Sequence, residues 1–525
     1  MAADRSVDYV VVGAGSAGSA VAARLSEDGE RSVLLLEAGG WDERPEIHRT
    51  DSGAVLALLT SSWSPLIDWG YATEPESGLG GRSVPIARGK VAGGCSSVNA
   101  LMWVRGSRHD YDGWRDRGNP GWGYDDVLPY FRRSEDYQGA GSGGLRGKAG
   151  PVSVRDHDSP TPLAEAFVAA TRELGYGADD AAADGTDYNG ASQSGYGFLY
   201  QTTRTADGER CSTATGYLHP ARGRGNLTVE VGAQATRILL EGKRAAGVEF
   251  VVDGRLQRVR ARGEVIVCAG AFETPKLLML SGIGPAAQLR AHGIGCVQDL
   301  PGVGENLQDH LFAPVSYQSR QELPAEALLS EAGLFTHTGD ADPAGAPDLQ
   351  FTFGPITFLS PDATDEERRG PGFTFAPIAL LPGSRGQVRL RDADPASTAV
   401  VRADYLADPA DMNVLVEGVE LARELARTRA LAPFRGAELG LGDGVTSREA
   451  LRAYVAARAT TLWHPVGTCR MGQDPDAVTD HELRVHGIEG LRVADASVMP
   501  DIVAGNTNAP SVMIGEKAAD LISHS

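Results

Sequence analysis

Cysteine is scarce in this sequence and follows no ligand pattern. The 525 residues include five cysteines, which lie far apart and form no CxxC or Cys/His motif: Cys95, Cys211, Cys268, Cys296 and Cys469. Disulfide scaffolds and structural zinc sites require regular, closely spaced cysteines. The sequence therefore predicts no metal site and a reducing, cytoplasmic location.

Long hydrophobic runs are also missing. The apolar stretch at residues 9–12 follows Asp4, Arg5 and Asp8 and ends at Gly13. The apolar part of a signal peptide has roughly 7–15 residues, and a membrane-spanning helix has about 20. We expect neither an export signal nor a membrane anchor.

Positive charge is in deficit. Lysine and arginine number 49 against 69 acidic residues, which gives a formal net charge of −20. A negative surface repels polyanions, so nucleic acids and anionic membranes are poor partners. Most of the positive residues are arginine, and the chain is rich in alanine and glycine, which is typical of a GC-rich bacterial source. The oligomeric state is left open.

Glycine, by contrast, is abundant. The 66 glycines follow no three-residue period and form no low-complexity tract, which excludes a collagen or a linker. With 42% hydrophobic residues the chain is an ordinary globular protein, and its length indicates two closely packed domains. Many glycines must therefore serve turns or close approaches of the backbone.

A nucleotide-binding βαβ unit opens the chain. A buried strand is predicted at Val7–Val12, a helix at Ser19–Leu25 and a second strand at Ser32–Leu36. Between the first strand and the helix lies GxGxxG, formed by Gly13, Gly15 and Gly18. Such a turn brings backbone close to a pyrophosphate at a helix N-terminus, and an acid about 20 residues on, here Glu37, accepts from ribose hydroxyls. This unit alone does not separate FAD from NAD.

The nucleotide-type signals return in two later blocks. Residues 262–268 form a buried strand followed by a helix through Leu280, and residues 490–493 precede a terminal helix at 513–523. Alternating strand patterns such as residues 348–353, and a helix at 411–427, lie between these blocks. We therefore expect a discontinuous cofactor domain (1–155, 206–310 and 457–525) with an inserted substrate domain (156–205 and 311–456). The glycine-rich stretch 139–150 predicts a flexible surface loop.

Several segments in the same order resemble the glucose-methanol-choline (GMC) flavoprotein oxidoreductases. They are RGKVAGGCSSVNA at 88–100, GAFETPKLLMLSGIGP at 270–285, PGVGENLQDH at 301–310, WHPVGT at 463–468 and LRVADAS at 491–497. The resemblance covers essentially the whole chain. It implies an α/β fold, α+β overall, with a Rossmann-type FAD domain and an antiparallel-sheet substrate domain.

The resemblance also implies FAD as cofactor and assigns residues to it. These are Gly13, Gly15, Ser16, Ala17 and Gly18 at the pyrophosphate; Glu37 and Ala38 at the ribose; Arg88, Val91, Gly93, Gly94, Cys95, Asn99 and Ala100 along the flavin; Val231 at the adenine; and Ala269, Trp463, Asp495, Ala496, Asn506 and Thr507. Some relatives bind flavin covalently through a histidine at the position of Val98. Valine there implies noncovalent FAD.

Alcohol oxidation requires a base within reach of the hydroxyl proton and a group that stabilises the developing alkoxide. His464 is similar in position to the catalytic histidine of the family. Asn506 occupies the second polar position, where many relatives have histidine and choline oxidases have asparagine. An amide is no base at neutral pH, so we expect His464 to remove the proton and Asn506 to bind the substrate oxygen.

The expected substrate is a primary alcohol, with O2 or another acceptor taking the electrons. Choline oxidases carry a carboxylate two residues after the His310 position, where this chain has Phe312, so a cationic substrate is disfavoured. We expect Phe312, Phe351 and Trp463 to contact the substrate, although such aromatics also occur as sheet core. A hydroxynitrile lyase-like enzyme, a photodecarboxylase and a redox-silent binding protein are the alternatives.

Overall fold

The computed structural model describes residues 5–60, 67–139, 143–177, 187–358, 369–442 and 444–524. Its two large sheets divide the molecule. The first has seven strands: β1 (Arg5–Val12), β2 (Val33–Leu36), β8 (Leu227–Glu230), β9 (Gln234–Glu241), β10 (Arg244–Val252), β11 (Arg255–Val267) and β23 (Leu491–Val493).

The parallel part of this sheet is β8-β2-β1-β11, with β23 also paired to β11. Valine and leucine fill these strands because helices cover both faces, as in other parallel sheets. The long strand β11 continues into an antiparallel meander with β10 and β9. The observed mixture of helices and sheets confirms the α/β fold class.

The second sheet is antiparallel and has eight strands among the described residues. They are β7 (Gly197–Leu199), β14 (Leu311–Phe312), β15 (Val315–Ser319), β16 (Ala332–Thr336), β17 (Leu349–Gly354), β18 (Gly372–Ala379), β21 (Arg435–Leu439) and β22 (Thr460–Thr461). The main path runs β21-β15-β18-β17-β16-β7, and β14 pairs with β18 and β22. The helices α6 (Pro162–Glu173) and α10 (Pro409–Arg427) pack against this sheet; for example, the Phe167 ring stacks on Phe353 with centroids 4.6 Å apart.

Four two-stranded ribbons complete the strands: β3 (Tyr71–Ala72) with β4 (Pro85–Ile86), β5 (Glu135–Tyr137) with β6 (Val152–Val154), β12 (Ile283–Gly284) with β13 (Gln298–Asp299), and β19 (Gln387–Arg389) with β20 (Val400–Arg402). The α-helices are α1 (Ser16–Leu25), α2 (Pro45–His48), α3 (Ser52–Leu59), α4 (Arg108–Asp116), α5 (Tyr124–Ser134), α6 (Pro162–Glu173), α7 (His219–Ala221), α8 (Gly270–Leu280), α9 (Ala286–Ala291), α10 (Pro409–Arg427), α11 (Arg448–Arg458) and α12 (Asn508–Ser523).

Three elements begin earlier in the chain than the sequence predicts. Strand β11 begins at Arg255, helix α1 begins at Ser16 and helix α12 begins at Asn508. Within the residues described, no helix combines the length and the hydropathy that crossing a bilayer requires.

The prediction of a flexible surface loop at 139–150 is wrong for its second half; residues 140–142 lie outside the described residues. Arg146 is 3% exposed and its guanidinium pairs with Glu135 and Asp187. A Cβ on Gly147 would lie 1.9 Å from the Arg132 carbonyl oxygen. Glycine here allows close packing against α5 rather than mobility.

Candidate active site

The parallel strands of the first sheet end at one edge. Val12 of β1 is in register with Leu36 of β2 and Val267 of β11, and Val267 is in register with Val493 of β23. The residues that follow these strand ends therefore lie side by side. In open α/β sheets, the crevice beyond the carboxyl ends of the strands is where ligands bind.

The turn after β1 has the geometry that a pyrophosphate requires. Gly13 has φ +98°, and a Cβ there would lie 2.5 Å from the Cys268 carbonyl oxygen. Gly15 caps α1 without any side-chain hydrogen bond, and the first turn of α1 carries no acidic residue. A Cβ on Gly15 would find no atom nearer than 4.0 Å. The N–H groups at this helix end are thus open to an anion.

Glu37 lies beside this turn. Its carboxylate accepts hydrogen bonds from the N–H groups of Ala14 (2.9 Å) and Gly39 (2.8 Å). Burial raises its pKa to about 6, although these backbone donors oppose the shift. The carboxylate shapes both turns and retains free lone pairs for hydroxyl donors.

One long cavity runs from this edge to the second sheet, and it brings together most of the predicted residues. Its wall includes Gly13, Gly15, Ser16, Ala17, Glu37, Ala38, Arg88, Gly94, Cys95, Val98, Asn99, Ala100, Ala269, Phe312, Trp463, His464, Asp495, Ala496, Asn506 and Thr507. The glycine turn and the histidine thus share one cleft.

Five predicted residues do not line this cavity. Gly18 packs α1 against the turn, since a Cβ would lie 1.9 Å from the Gly13 carbonyl oxygen. Gly93 has φ +87° and supports the turn below Gly94. Val91 is buried with Ile47 and Val98. Val231 does not line the cavity; the neighbouring residues Ala233, Gln234 and Ala235 do.

The fifth is Phe351, for which the prediction of substrate contact is wrong. Phe351 is fully buried in the core on the far side of the second sheet. Successive residues of a strand face opposite sides. Thr352 and Gly354, not Phe351, therefore reach the cavity, whereas Phe312, Phe358 and Trp463 do line it.

His464 sits at the end of a constrained turn. Trp463 has φ +62°, a conformation that costs a bulky residue about 1–2 kcal/mol. The turn is held because the Trp463 N–H donates to Thr461 Oγ1 (2.7 Å) and its carbonyl accepts from Arg88 Nη1 (2.8 Å). The His464 N–H donates to Asp309 Oδ1 (2.8 Å). Asp309 therefore positions the backbone of His464.

Two short strands bring a second histidine to His464. β14 and β22 pair antiparallel, and the Leu462 N–H donates to the His310 carbonyl (2.8 Å). His310 Nδ1 then lies 3.0 Å from His464 Nδ1, and His310 Nε2 lies 3.0 Å from the Leu380 carbonyl oxygen. A carbonyl only accepts, so His310 carries its proton on Nε2.

This arrangement determines the tautomer of His464. Burial lowers the pKa of His310 to about 4, so His310 is neutral and its Nδ1 is an acceptor. His464 must therefore donate from Nδ1. Burial, with a smaller contribution from the positive charge of Arg88, holds the pKa of His464 well below 6.5. Its Nε2 is left unprotonated, 3.3 Å from Asn506 Nδ2.

Sequence reasoning missed two buried groups near the cavity wall. One is the His310–His464 contact, because only the fold joins positions 154 residues apart. The other is Arg210, which is 1% exposed and donates to carbonyl oxygens of Ile47, Ser96 and Asn99. It supports the backbone of the wall segment 96–99 from behind.

Comparison with known families decides the class. Models of the N- and C-terminal GMC oxidoreductase domains match residues 7–312 and 382–515. The chain is a GMC oxidoreductase. This confirms the resemblance seen in the sequence segments.

Its relatives cover it over nearly the full length. An oxygen-dependent choline dehydrogenase of Brucella anthropi is 42% identical over 539 residues, 98% of this chain and 95% of that protein. A GMC-type oxidoreductase of Mycobacterium bovis is 42% identical over 99% of both chains. The crystal structure of pyridoxine 4-oxidase from Mesorbium loti has a TM-score of 0.89 at 34% identity, with 99% of each chain covered.

As a GMC oxidoreductase, the protein binds FAD and acts on CH–OH groups. The glycine turn, the open α1 N-terminus and Glu37 form the part of the cavity suited to the pyrophosphate and ribose. His464 and Asn506 lie where the cavity meets the second sheet.

Proposed function

We propose that this GMC oxidoreductase oxidises a primary alcohol to an aldehyde, with His464 as general base and Asn506 as the group that binds the substrate oxygen. The observation that carries the proposal is that His464 Nε2 lies 3.3 Å from Asn506 Nδ2, with both residues in the cavity wall. O2 or another acceptor takes the electrons afterwards.

The residues divide the chemistry between them. FAD, when bound in the cavity, would supply the acceptor for the hydride of the alcohol carbon. His464 Nε2 has a single lone pair, so the substrate hydroxyl replaces the Asn506 N–H there and gives its proton to Nε2. Asn506 Nδ2 then donates to the substrate oxygen as negative charge develops on it. His310 accepts the hydrogen bond of the imidazolium that forms, through Nδ1. Asp309, Thr461 and Arg88 keep the His464 turn in place.

The wall near His464 supports a neutral substrate with an apolar or aromatic body. Phe312 lies 5.2 Å from Phe358 and 6.5 Å from Trp463, measured between ring centroids. Leu462, Ile356, Met102 and Ala376 extend this surface. Three carboxylates line the described cavity, and chain groups already donate to each of them: Glu37, Glu273 and Asp495. Phe312 thus leaves a quaternary ammonium without a dedicated anion.

Anaerobic mixing with alcohols tests the reaction and the substrate class together. Benzyl alcohol should bleach the oxidised flavin band. The ratio of its reduction rate constant to its dissociation constant should be at least about tenfold higher than that of choline, because burying an unpaired cation costs binding free energy. Failure of every primary alcohol, with turnover of a cyanohydrin or of an illuminated fatty acid, would overturn the oxidase proposal. Preference for choline would overturn the substrate class alone.

We further propose that FAD is held noncovalently. Val98 lines the cavity at the position of the flavin-linking histidine of some relatives, and an isopropyl side chain forms no bond to flavin. The affinity must then come from contacts such as those at the α1 N-terminus.

Gly15→Ala should weaken FAD binding without harming the fold. The added methyl meets no protein atom within 4.0 Å, but it projects into the space where the proposed pyrophosphate lies. We expect the FAD dissociation constant of the apoprotein to rise at least about tenfold. Gly113→Ala in α4, which also meets no atom, is the matched control and should bind FAD normally. Unchanged FAD affinity of Gly15→Ala, or flavin that stays on the acid-precipitated chain, would contradict these assignments.

A further inference from the structure

A second chain of hydrogen bonds reaches the catalytic pair from the other side. Gln350 Nε2 lies 3.2 Å from Asn506 Oδ1 and 2.7 Å from the Tyr200 hydroxyl oxygen. The Tyr200 hydroxyl in turn lies 3.0 Å from the Phe351 carbonyl oxygen. Gln350 and Tyr200 are fully buried, and Gln350 shares the face of β17 with the cavity-lining Thr352 and Gly354.

The backbone carbonyl at the end of this chain determines the direction of every hydrogen bond in it. The Phe351 carbonyl only accepts, so the Tyr200 hydroxyl donates to it. The Tyr200 oxygen therefore accepts from one N–H of Gln350, and the second N–H of Gln350 donates to Asn506 Oδ1. Asn506 is left with its NH2 group towards His464 Nε2.

The two chains of hydrogen bonds meet at the His464 ring. On one side, His310 donates from Nε2 to the Leu380 carbonyl and accepts from His464 Nδ1, which leaves His464 Nε2 unprotonated. On the other side, the chain from Phe351 through Tyr200 and Gln350 leaves Asn506 Nδ2 as the donor to that Nε2. Each terminal carbonyl lies on or next to a neighbouring strand of the second sheet. The sheet backbone thus sets the protonation pattern of the site.

We infer that Gln350, oriented by Tyr200, is a positioning residue that keeps the NH2 group of Asn506 directed at His464 and at the alcohol oxygen. This inference rests on the proposed alcohol oxidation. If the Asn506 amide turned over, Oδ1 would face the His464 Nε2 lone pair. The two acceptors would repel each other, and the developing alkoxide would lose its donor.

The chemistry of Gln350 itself argues against a purely structural role. Its Oε1 is buried and has no hydrogen-bond partner among the described residues. A leucine or methionine at this position would bury no unpaired polar atom. Within the described part of the chain, Gln350 uses its side-chain amide only in the contacts with Tyr200 and Asn506.

The test is a double-mutant cycle between Gln350 and Asn506, read as the rate constant of flavin reduction at saturating benzyl alcohol. Gln350→Met keeps the length of the side chain and removes both donors. We expect it to lower the rate constant about tenfold or more, and to have no further effect in an Asn506→Ala background, because it acts through Asn506. The same fold-loss in both backgrounds, or no loss in either, would overturn the inference.

A second measurement does not depend on turnover. Donation by Asn506 favours neutral His464, whereas an Asn506 that has turned over favours the imidazolium. The pKa of His464 should therefore rise in Gln350→Met, followed by NMR of 13C-labelled histidine and assigned with His464→Ala. The other charged or titratable neighbours of His464, namely His310, Arg88 and Asp309, are unchanged in this variant.

The two measurements separate the failures. A wild-type flavin that no alcohol reduces would remove the proposed function, and the NMR titration would still decide the position of Asn506. An unchanged His464 pKa in Gln350→Met would overturn the inference even if the wild-type enzyme oxidises alcohols. Tyr200→Phe removes only the hydroxyl that accepts from Gln350. In this variant the pKa of His464 should also rise, but by less than in Gln350→Met.

Discussion

His464→Ala should slow flavin reduction by alcohol roughly 10²–10⁴-fold, the range expected for loss of a general base. The tautomer argument makes the effect specific, because His464 donates from Nδ1 to His310 and so keeps Nε2 as the acceptor beside Asn506. The measurement is stopped-flow reduction of the oxidised flavin under anaerobic conditions, at saturating alcohol.

The fold and the cofactor should survive this substitution. His464 lines the cavity, and Asp309 contacts its backbone N–H, which alanine retains. We expect normal FAD content and partial rescue by added imidazole. The matched control is His524→Ala near the C-terminus, an exposed histidine that should reduce flavin at the wild-type rate. A reduction rate of His464→Ala within a factor of about three of wild type would remove His464 from the mechanism.

Glu135→Ala should lower the free energy of unfolding by about 3–5 kcal/mol, the cost of leaving buried charges without their partner. The Glu135 carboxylate accepts from Arg105 Nη2 (2.6 Å), Arg146 Nε (2.8 Å), Trp103 Nε1 (2.8 Å) and the Gly147 N–H (2.9 Å). The side chains of Glu135, Arg105 and Arg146 are at most 1% exposed. Without Glu135, Arg146 keeps its pair with Asp187, whereas Arg105 loses the carboxylate that pairs with it.

Urea unfolding followed by tryptophan fluorescence measures this loss. Burial acts to raise the pKa of Glu135, but Arg105 and Arg146 outweigh it and lower the pKa below 4.5. The stabilisation is therefore fully present above pH 4.5 and is lost as the pH falls through the folded-state pKa. Glu241→Gln, which breaks the exposed pair with Arg260, is the control and should change stability by less than about 1 kcal/mol. Equal effects of the two variants would contradict the account.

Much of the cofactor region could be predicted because its signals are local. A strand, a glycine turn and a helix within about 30 residues specify one βαβ unit, and the register of the parallel strands places Gly13, Glu37 and Asp495 at one edge. The roles of His464 and Asn506 came from resemblance to the family. Their 3.3 Å contact is consistent with those roles, which await the experiments above.

The wrong predictions concern sequence patterns that are compatible with more than one three-dimensional arrangement. Alternation in residues 348–353 predicts a strand, but it does not determine which face of the strand lines the cavity. The prediction therefore places Phe351 at the substrate and omits Gln350. Glycine at 147 and 150 is equally compatible with a mobile loop and with tight packing. Only the neighbouring groups, here Arg132 and Glu135, distinguish the two cases.

By itself, the sequence determined the family, the cofactor and the chemistry available at the two polar positions, because these depend on residue types in contiguous motifs. The tertiary structure alone decided the state of those residues. The proton position on His464 follows from carbonyl groups of Leu380 and Phe351, which are far from it in the chain and act through His310 and Gln350. The direction of a hydrogen bond depends on which donors and acceptors are in contact, and only the folded sheet brings these groups together.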